Sequence, residues 1–239
     1  MEVKLVSVTP DPEQFIAFIA RVSNPQNQKN PEYAKLIAYL LSHGHYSPFE
    51  HSFMTVEIKT SMAIGEQLLR HRSFTFQKYS GRYNTFAGFE DVELRAQAHK
   101  NRQSSTDVID PVAMTFKDDN VKETEYYYAS DLVKSALEYA DWTYNKLLEL
   151  GIARESARFV LPAATSTTMY MTGSARSWIH YLQLRTEDDT QKEHRLVAQE
   201  IDKIFAVQFP ITHSAMEVMR REQARKDFVY KEWAETNGD

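Results

Sequence analysis

The chain has 239 residues, 28 Lys and Arg against 33 Asp and Glu, and a formal net charge of −5, so general nucleic-acid binding is not expected of it. Its length suits a single α/β domain spanning residues 1–239, and its 42% hydrophobic and 26% charged residues are ordinary for a soluble globular protein. The absence of cysteine excludes disulfides, thiolate metal sites and a cysteine nucleophile, while no apolar run approaches the ~20 residues of a membrane helix.

VKLVSV, residues 3–8, reads as a β-branched strand. The segment preceding DPEQFIAFIARVS lacks the basic-then-apolar layout of a signal peptide, and a cytoplasmic location is expected. In DPEQFIAFIARVS itself, Asp11 is the expected N-cap, Pro12 the first helical residue, and Phe15, Ile16 and Ile19 share one face. A second helix is expected over about residues 31–42. SFMTVEIKT then alternates Met54, Val56 and Ile58 with Thr55, Glu57 and Lys59, which is a strand period. Residues 61–69 read as a short helix that delivers Arg70. Residues 95–121 are polar and weakly periodic and read as a long loop or insertion. The spacing of Ala129, Leu132, Val133, Ala136, Leu137, Ala140, Tyr144, Leu147 and Leu148 predicts a helix over 122–150, stopped by Gly151. TSTTMYMT, residues 165–172, is strand-like, and SARSWIHYLQLR reads as a helix capped by Ser174. A last pair of helices is expected to begin at Thr190, where Glu193 three residues on completes a capping-box pattern, and at Thr212.

The stretch RHRSFTFQKYSGRY, residues 70–83, gathers Arg70, His71, Arg72, Lys78 and Arg82, and no acid occurs from Gln67 to Phe89. Charge runs commonly form a solvated edge. Here Phe74, Phe76 and Tyr79 interleave the charges, so part of the segment is expected to be buried or stacked. Gly81 between Ser80 and Arg82 suits backbone that passes close to a ligand. Guanidinium forks match phosphate oxygens, and Ser80 with nearby backbone N–H groups would complete an anion pocket. None of the seven glycines lies in GxGxxG or GxxxxGKS/T, so side chains must hold any phosphate.

Arg70-His71-Arg72, seven residues, then Ser80-Gly81-Arg82-Tyr83 closely resembles the signature of the flavin-dependent thymidylate synthases. RVS at 21–23, HGHYSPFEH at 43–51, NRQ at 101–103, ARFVLP at 157–162 and ARSWIHYLQLR at 175–185 agree in order and spacing, so the resemblance spans nearly the whole chain. It implies a central, mostly antiparallel sheet flanked by long helices. It also implies reductive methylation of dUMP to dTMP, with FAD as cofactor and methylenetetrahydrofolate and NADPH as co-substrates. A homotetramer with active sites shared between subunits is implied as well. The missing cysteine is consistent with this, because attack on the uracil C6 by a thiolate is closed and the cofactor must carry the chemistry.

The same resemblance implies roles. Ser23, Ser47, Arg70, His71, Arg72, Lys78, Ser174, Ala175, Arg176 and His180 are expected near FAD. Gln67, Leu68 and Leu69 are expected at dUMP, partly through backbone. Arg70, Lys78, Tyr79, Ser80, Gly81, Arg82, Arg158 and Arg185 are expected there too. Arg185 is the expected activating residue: a guanidinium beside uracil stabilises charge developing on N3 and O4, and with a pKa above about 12 it cannot act as a base. The chain departs from the family pattern in two places: Lys78 stands where an acid is usual, and Ser174 where Asn is.

Nine helical steps of about 100° set Arg176 and Arg185 on opposite faces of one helix, whereas His180 shares the Arg176 side. If both touch flavin or nucleotide, either the helix breaks between them or they serve different copies of the site. HGHYSPFEH offers His43, His45, Glu50 and His51 but lacks HExxH spacing, so no metal is expected; His45 and Ser47 fit packing and flavin contact better. Trp142, Trp178 and Tyr126–Tyr128 fit core or subunit contacts. The competing reading is a single-stranded nucleic-acid binder with Phe and Tyr of residues 70–83 as stacking platforms. It leaves HGHYSPFEH and the spaced Arg158, Arg176 and Arg185 unexplained.

Overall fold

The computed structural model describes residues 1–83, 88–99, 101, 103–118 and 123–237. In chain order the elements are β1 (Glu2–Val8), α1 (Pro12–Ala20), α2 (Ala34–Ser42), β2 (Phe53–Ser61), α3 (Met62–Leu68), β3 (Thr75–Lys78), β4 (Arg95–Gln97), β5 (Ser105–Val108), β6 (Val112–Asp118), β7 (Glu123–Tyr128), α4 (Ala129–Glu149), α5 (Arg154–Ala157), β8 (Ser166–Ser174), α6 (Ala175–Arg185), α7 (Lys192–Gln208) and α8 (Pro210–Asn237). A short 3-10 turn, Ser47–His51, precedes β2. Among the described residues no helix is long and apolar enough to cross a membrane.

The mixed α/β architecture expected from the sequence is present. One antiparallel sheet runs in the order β1-β2-β8-β3. The register pairs Met54 with Gly173, Val56 with Met171, Ile58 with Met169 and Thr60 with Thr167, and all of these are buried, with the lack of a side chain on Gly173 itself used. A Cβ on Gly173 would stand 2.4 Å from the Phe74 ring, so only glycine lets that ring seat over β8. The alternate residues face away and are polar: Thr55 and Thr172 share a hydrogen bond of 2.9 Å, and the Tyr170 hydroxyl donates to Glu57 at 2.8 Å. The sheet thus buries one face, as its period of two requires. Trp178 lies wholly in the core beneath it and donates its indole N–H to the Met54 carbonyl at 3.0 Å.

Local signals hold where side chain and backbone meet within one element. Ser61 accepts from the Ile64 N–H and caps α3, and Ser174 accepts from the Ser177 N–H and caps α6. Asp11 sits at the N-cap of α1, but with φ 44° and no side-chain bond. The helix expected from residue 31 begins at Ala34.

Four expectations are corrected. Residues 95–121 contain β4, β5 and β6 in two antiparallel hairpins rather than irregular loop. The helix expected from residue 122 starts at Ala129, because ETEYYY pairs with β6 as β7, and the Asp131 carboxylate then accepts from the Tyr128 N–H at 2.8 Å. The Thr190 capping box does not form: Gln191 is the N-cap of α7, and the buried Thr190 hydroxyl donates instead to the Leu184 carbonyl. α8 begins at Pro210 rather than Thr212. A distant carboxylate is its cap: buried Glu13 accepts from the Ile211 N–H at 3.2 Å and the Thr212 N–H at 2.6 Å.

The apolar stripe of α4 packs little within the chain. Among its described side chains only Tyr144 is buried, while Leu132, Tyr139 and Trp142 are exposed. Beside it Val112, Met114, Phe116 and Tyr126 to Tyr128 of the β6–β7 hairpin are also exposed.

Candidate active site

The basic stretch leaves α3 and becomes the edge strand β3. Phe74 is buried against Trp178 at a centroid distance of 4.6 Å, and Phe76 packs against the same core. These two rings are structural anchors, which takes them from the stacking platforms that the nucleic-acid reading of residues 70–83 needs and leaves it only the exposed Tyr79 and Tyr83. Past Lys78 the backbone continues its pairing, with the Tyr79 N–H donating to the Thr168 carbonyl, and then turns at residues 80–83.

That turn opens a cavity of about 620 Å³ lined by Lys78, Tyr79, Ser80, Gly81, Arg82 and Arg158, with Glu66, Phe159 and Thr165 to Thr167 completing the wall. Six expected nucleotide residues, separated by about 80 positions in sequence, thus share one space. Gly81 has an ordinary backbone, and a Cβ there would approach only the Arg158 chain at 4.0 Å. Its role is therefore room rather than strain. Lys78 lies along Gly65 of α3 and pairs with Glu66 at 2.5 Å. The lysine that replaces an acid at this position thus faces an acid from α3, which the sequence reading missed. Arg82 and Arg158 have no carboxylate partner among the described residues; Arg158 stacks over Phe159 at 5.8 Å and donates to the Glu155 carbonyl. Two uncompensated guanidinium groups beside a hydroxyl form an anion-accepting wall.

A second cavity, about 380 Å³, is lined by Tyr46, Glu50, Ser73, Arg176, Ser177, Ile179, His180 and Gln183. Glu50 organises its rim: one carboxylate oxygen accepts from Ser174 at 2.6 Å and the other from Arg176 at 2.6 Å. The Ser174 hydroxyl first, then Arg176, holds the Glu50 carboxyl below its usual range. Arg176 and His180 do share a side, as one helical turn requires. Ser47 sits exposed next to Tyr46, whereas Ser23 is exposed in the turn after α1 and lines neither cavity. In the RVS segment it is Arg21 that is buried, clamping the Asn30 and Glu32 carbonyls. The Ser174 and Ala175 side chains are buried in the fold, as is Leu68, so any ligand contact of theirs runs through backbone. Among the described residues His43, His45, Glu50 and His51 form no metal-holding group, and Arg102 of NRQ lies outside the described residues.

The third cluster surrounds Arg185. Helix α6 is unbroken, so Arg185 ends it on the face opposite Arg176. Its Nε donates to His71 Nε2 at 3.1 Å, leaving its two terminal amino groups for other acceptors. Burial first, then the nearby Arg185 charge and His180, lowers the His71 pKa to about 4. The rings of His71 and Tyr181 meet edge-on at 4.9 Å. Behind them His194, also lowered to about 4 by burial and by Arg185, bonds Gln67 and Tyr181. Burial pushes the Tyr181 phenol upward. His194, Tyr181 and Gln191 carry no signal in the sequence that ties them to this site. Arg70 and Arg72 stand exposed on the same segment without an acidic partner among the described residues. One chain therefore brings together Lys78 to Arg82 with Arg158, and separately Arg176 with His180, and Arg185 with His71 and Gln67.

The thymidylate synthase complementing protein family model matches residues 4–211. A probable flavin-dependent thymidylate synthase of Paramecium bursaria Chlorella virus 1 is 43% identical over 226 residues, covering 91% of this chain and 99% of the relative. A flavin-dependent thymidylate synthase of Synechocystis is 41% identical over 227 residues, covering 91% of this chain and all of the relative. Among solved structures, the UMP/dUMP methylase PolB of Streptomyces cacaoi bound with 5-Br dUMP superposes with a TM-score of 0.74 at 30% identity, over 91% of this chain and 94% of that one. Matched by the family model over residues 4–211 and by relatives along nearly their whole length, the chain belongs to the thymidylate synthase complementing protein family, the flavin-dependent thymidylate synthases.

Proposed function

We propose that this protein is a flavin-dependent thymidylate synthase that methylates dUMP reductively to dTMP, with methylenetetrahydrofolate as carbon donor and NADPH as reductant by way of FAD. The reading is supported along the whole chain by relatives of that name and by a methylase neighbour crystallised with a dUMP analogue. The observation that carries it is the cavity in which Ser80, Arg82 and Arg158 converge with no acidic partner on either guanidinium among the described residues. In a chain of net charge −5, such a concentration of uncompensated positive charge fits a small phosphate ester.

In this reading Ser80, Gly81 and Arg82, with Tyr79, Lys78 and Arg158, take the dUMP phosphate. Gln67 to Arg70 and Arg185 take its base and sugar. Arg176 and His180, beside Ser47 and the backbone at Ser174 and Ala175, hold FAD with Arg70, His71, Arg72 and Ser23. The fit to a flavin dinucleotide rests on the groove beside Arg176 and on Arg70 and Arg72, which have no acidic partner among the described residues and suit a diphosphate. Flavin, when bound, would carry the hydride and relay the one-carbon unit of methylenetetrahydrofolate, redox chemistry that protein side chains do not provide. Arg185 supplies electrostatics. Its Nε is held by His71, so the two terminal amino groups form a fixed fork that stabilises negative charge growing at N3 and O4 of uracil and raises the nucleophilicity of C5.

Arg176 and Arg185 on opposite faces of the unbroken α6 fit a homotetramer in which they serve different copies of a shared site, and the exposed apolar faces of α4 and the β6–β7 hairpin would provide surface for subunit contact. In this reading the enzyme acts in the cytoplasm, with which the lack of a membrane-crossing helix among the described residues is consistent.

The test is direct. Purified protein is expected to be yellow, with bands near about 370 and 450 nm from its flavin, and to convert dUMP to dTMP only when both NADPH and methylenetetrahydrofolate are present. Flavin-loaded protein that leaves dUMP unchanged under those conditions would overturn the reading.

A further inference from the structure

His194 belongs to none of the residue sets described for nucleotide, flavin or activation, yet it is 1% exposed and both of its ring nitrogens face polar side chains. Its Nδ1 is 3.1 Å from Gln67 Oε1, and its Nε2 is 3.2 Å from the Tyr181 hydroxyl. Gln67 is also gripped from its other end, since its Nε2 donates to Gln191 Oε1 at 2.6 Å. Two residues three positions apart at the start of α7 thus hold the oxygen and the nitrogen of one amide.

The donor and acceptor inventory fixes every direction in this chain. Gln67 spends its nitrogen on Gln191, so its oxygen accepts. His194 then carries its proton on Nδ1, its Nε2 accepts, and the buried Tyr181 hydroxyl donates. The imidazole is neutral in this arrangement, in keeping with its burial and with the Arg185 charge nearby. Every polar atom of the Gln67–His194–Tyr181 line that the chain of bonds uses is satisfied. Gln67 lies in the last turn of α3, immediately before Leu68 to His71, so fixing its amide fixes the start of the basic segment.

We propose that His194 is a positioning residue for the pyrimidine nucleotide: as the Nδ1–H tautomer it locks the Gln67 amide in one orientation and sets the 67–71 segment against dUMP. This rests on the functional reading given above, in which Gln67 contacts dUMP. The role is distinct from catalysis, because His194 reaches the substrate only through Gln67. Leucine at 194 fills the space but abandons the Gln67 oxygen, whereas asparagine presents an amide N–H close to where Nδ1–H stood.

The experiment compares His194→Leu and His194→Asn holoenzymes, reading flavin content at about 450 nm, dUMP KM and kcat. His194→Leu is expected to raise the dUMP KM about three- to tenfold, the worth of one buried hydrogen bond, with flavin content unchanged. His194→Asn is expected to return KM to within about twofold of the parent. In the parent flavoprotein, 15N NMR of the histidine side chains is expected to report His194 as Nδ1–H, a measurement that needs no turnover. An unchanged KM in His194→Leu, an asparagine variant no better than leucine, or an Nε2–H tautomer overturns the proposal. If His194→Leu does not fold, His194→Phe carries the same expectation. A parent enzyme inactive on dUMP removes the functional reading and this proposal together, while an active parent with an indifferent leucine variant removes only the proposal.

Discussion

Arg185 Nε donates to His71 Nε2 at 3.1 Å, so a permanently charged guanidinium leans on an imidazole nitrogen that must be free of its proton. The bond orients the fork and leaves its outer amino groups for the uracil edge. Arg185→Ala is therefore expected to keep its flavin absorbance while kcat falls about 10²- to 10³-fold, the usual cost of one preorganised electrostatic donor. Normal turnover in that variant would remove Arg185 from the mechanism.

His71 and His194 both titrate near about 4 in the folded chain, with burial the largest cause and Arg185 next. Unfolded imidazoles protonate near about 6.5. Between these values the unfolded state binds more protons than the native one, so acid favours unfolding. Stability from this pair is complete above about pH 7 and declines as pH falls from about 6.5 towards 4. Thermal melts across that range should show Tm dropping with acid, with a shallower slope in His194→Asn. Identical slopes in the two proteins would mean that His194 does not titrate as described.

Arg82 and Arg158 flank one cavity from segments far apart in sequence, and neither is neutralised by an acid among the described residues. Replacing either by alanine is expected to weaken dUMP binding about 10- to 100-fold, as for a lost charge-assisted bond to phosphate. Flavin content should be spared. Calorimetric titration with dUMP at low and high salt checks this, since the parent but not the double variant should lose affinity as salt screens the site.

Glu13 reaches across the fold to accept from the Ile211 and Thr212 N–H groups, so α1 supplies the cap that α8 lacks in its own sequence. Glu13→Ala should cost about 1–3 kcal/mol, because two buried donors lose a charged acceptor at a helix N-terminus. Denaturant unfolding is the measurement, and a loss below about 0.5 kcal/mol would be too small for a cap of this kind.

Gly173→Ala places a methyl 2.4 Å from the Phe74 ring, which is held by Trp178 and cannot swing aside freely. The expected penalty is about 1–3 kcal/mol from overpacking. Since Phe74 anchors the segment between Arg72 and Lys78, dUMP affinity should fall with it. A variant with parental Tm would show that Phe74 has another place to go.

Three of the four strands of the main sheet were readable locally, β2 from its alternation of Met54, Val56 and Ile58 and β1 and β8 from their residue types, whereas edge strand β3 was not. The Ser174 cap was readable too, because its partner lies three residues away. Residues 95–118 were unreadable because exposed hairpins bury little, so β4, β5 and β6 show no clean period. Thr190 and Glu193 had the right spacing for a capping box that does not form: the threonine hydroxyl donates to the Leu184 carbonyl, and Gln191 takes the N-cap position.

The sequence by itself determined the family, the absence of a thiol route and the residue types of the phosphate wall, since these depend on composition and on short fixed spacings. Only the tertiary structure decided that Lys78 answers Glu66, that Glu13 caps α8, and that His194 reaches Gln67. Those pairings join residues 12 to 199 positions apart. They exist because strand pairing and helix packing close the intervening chain, and no local pattern records which distant polar group will fill a buried hydrogen-bonding position.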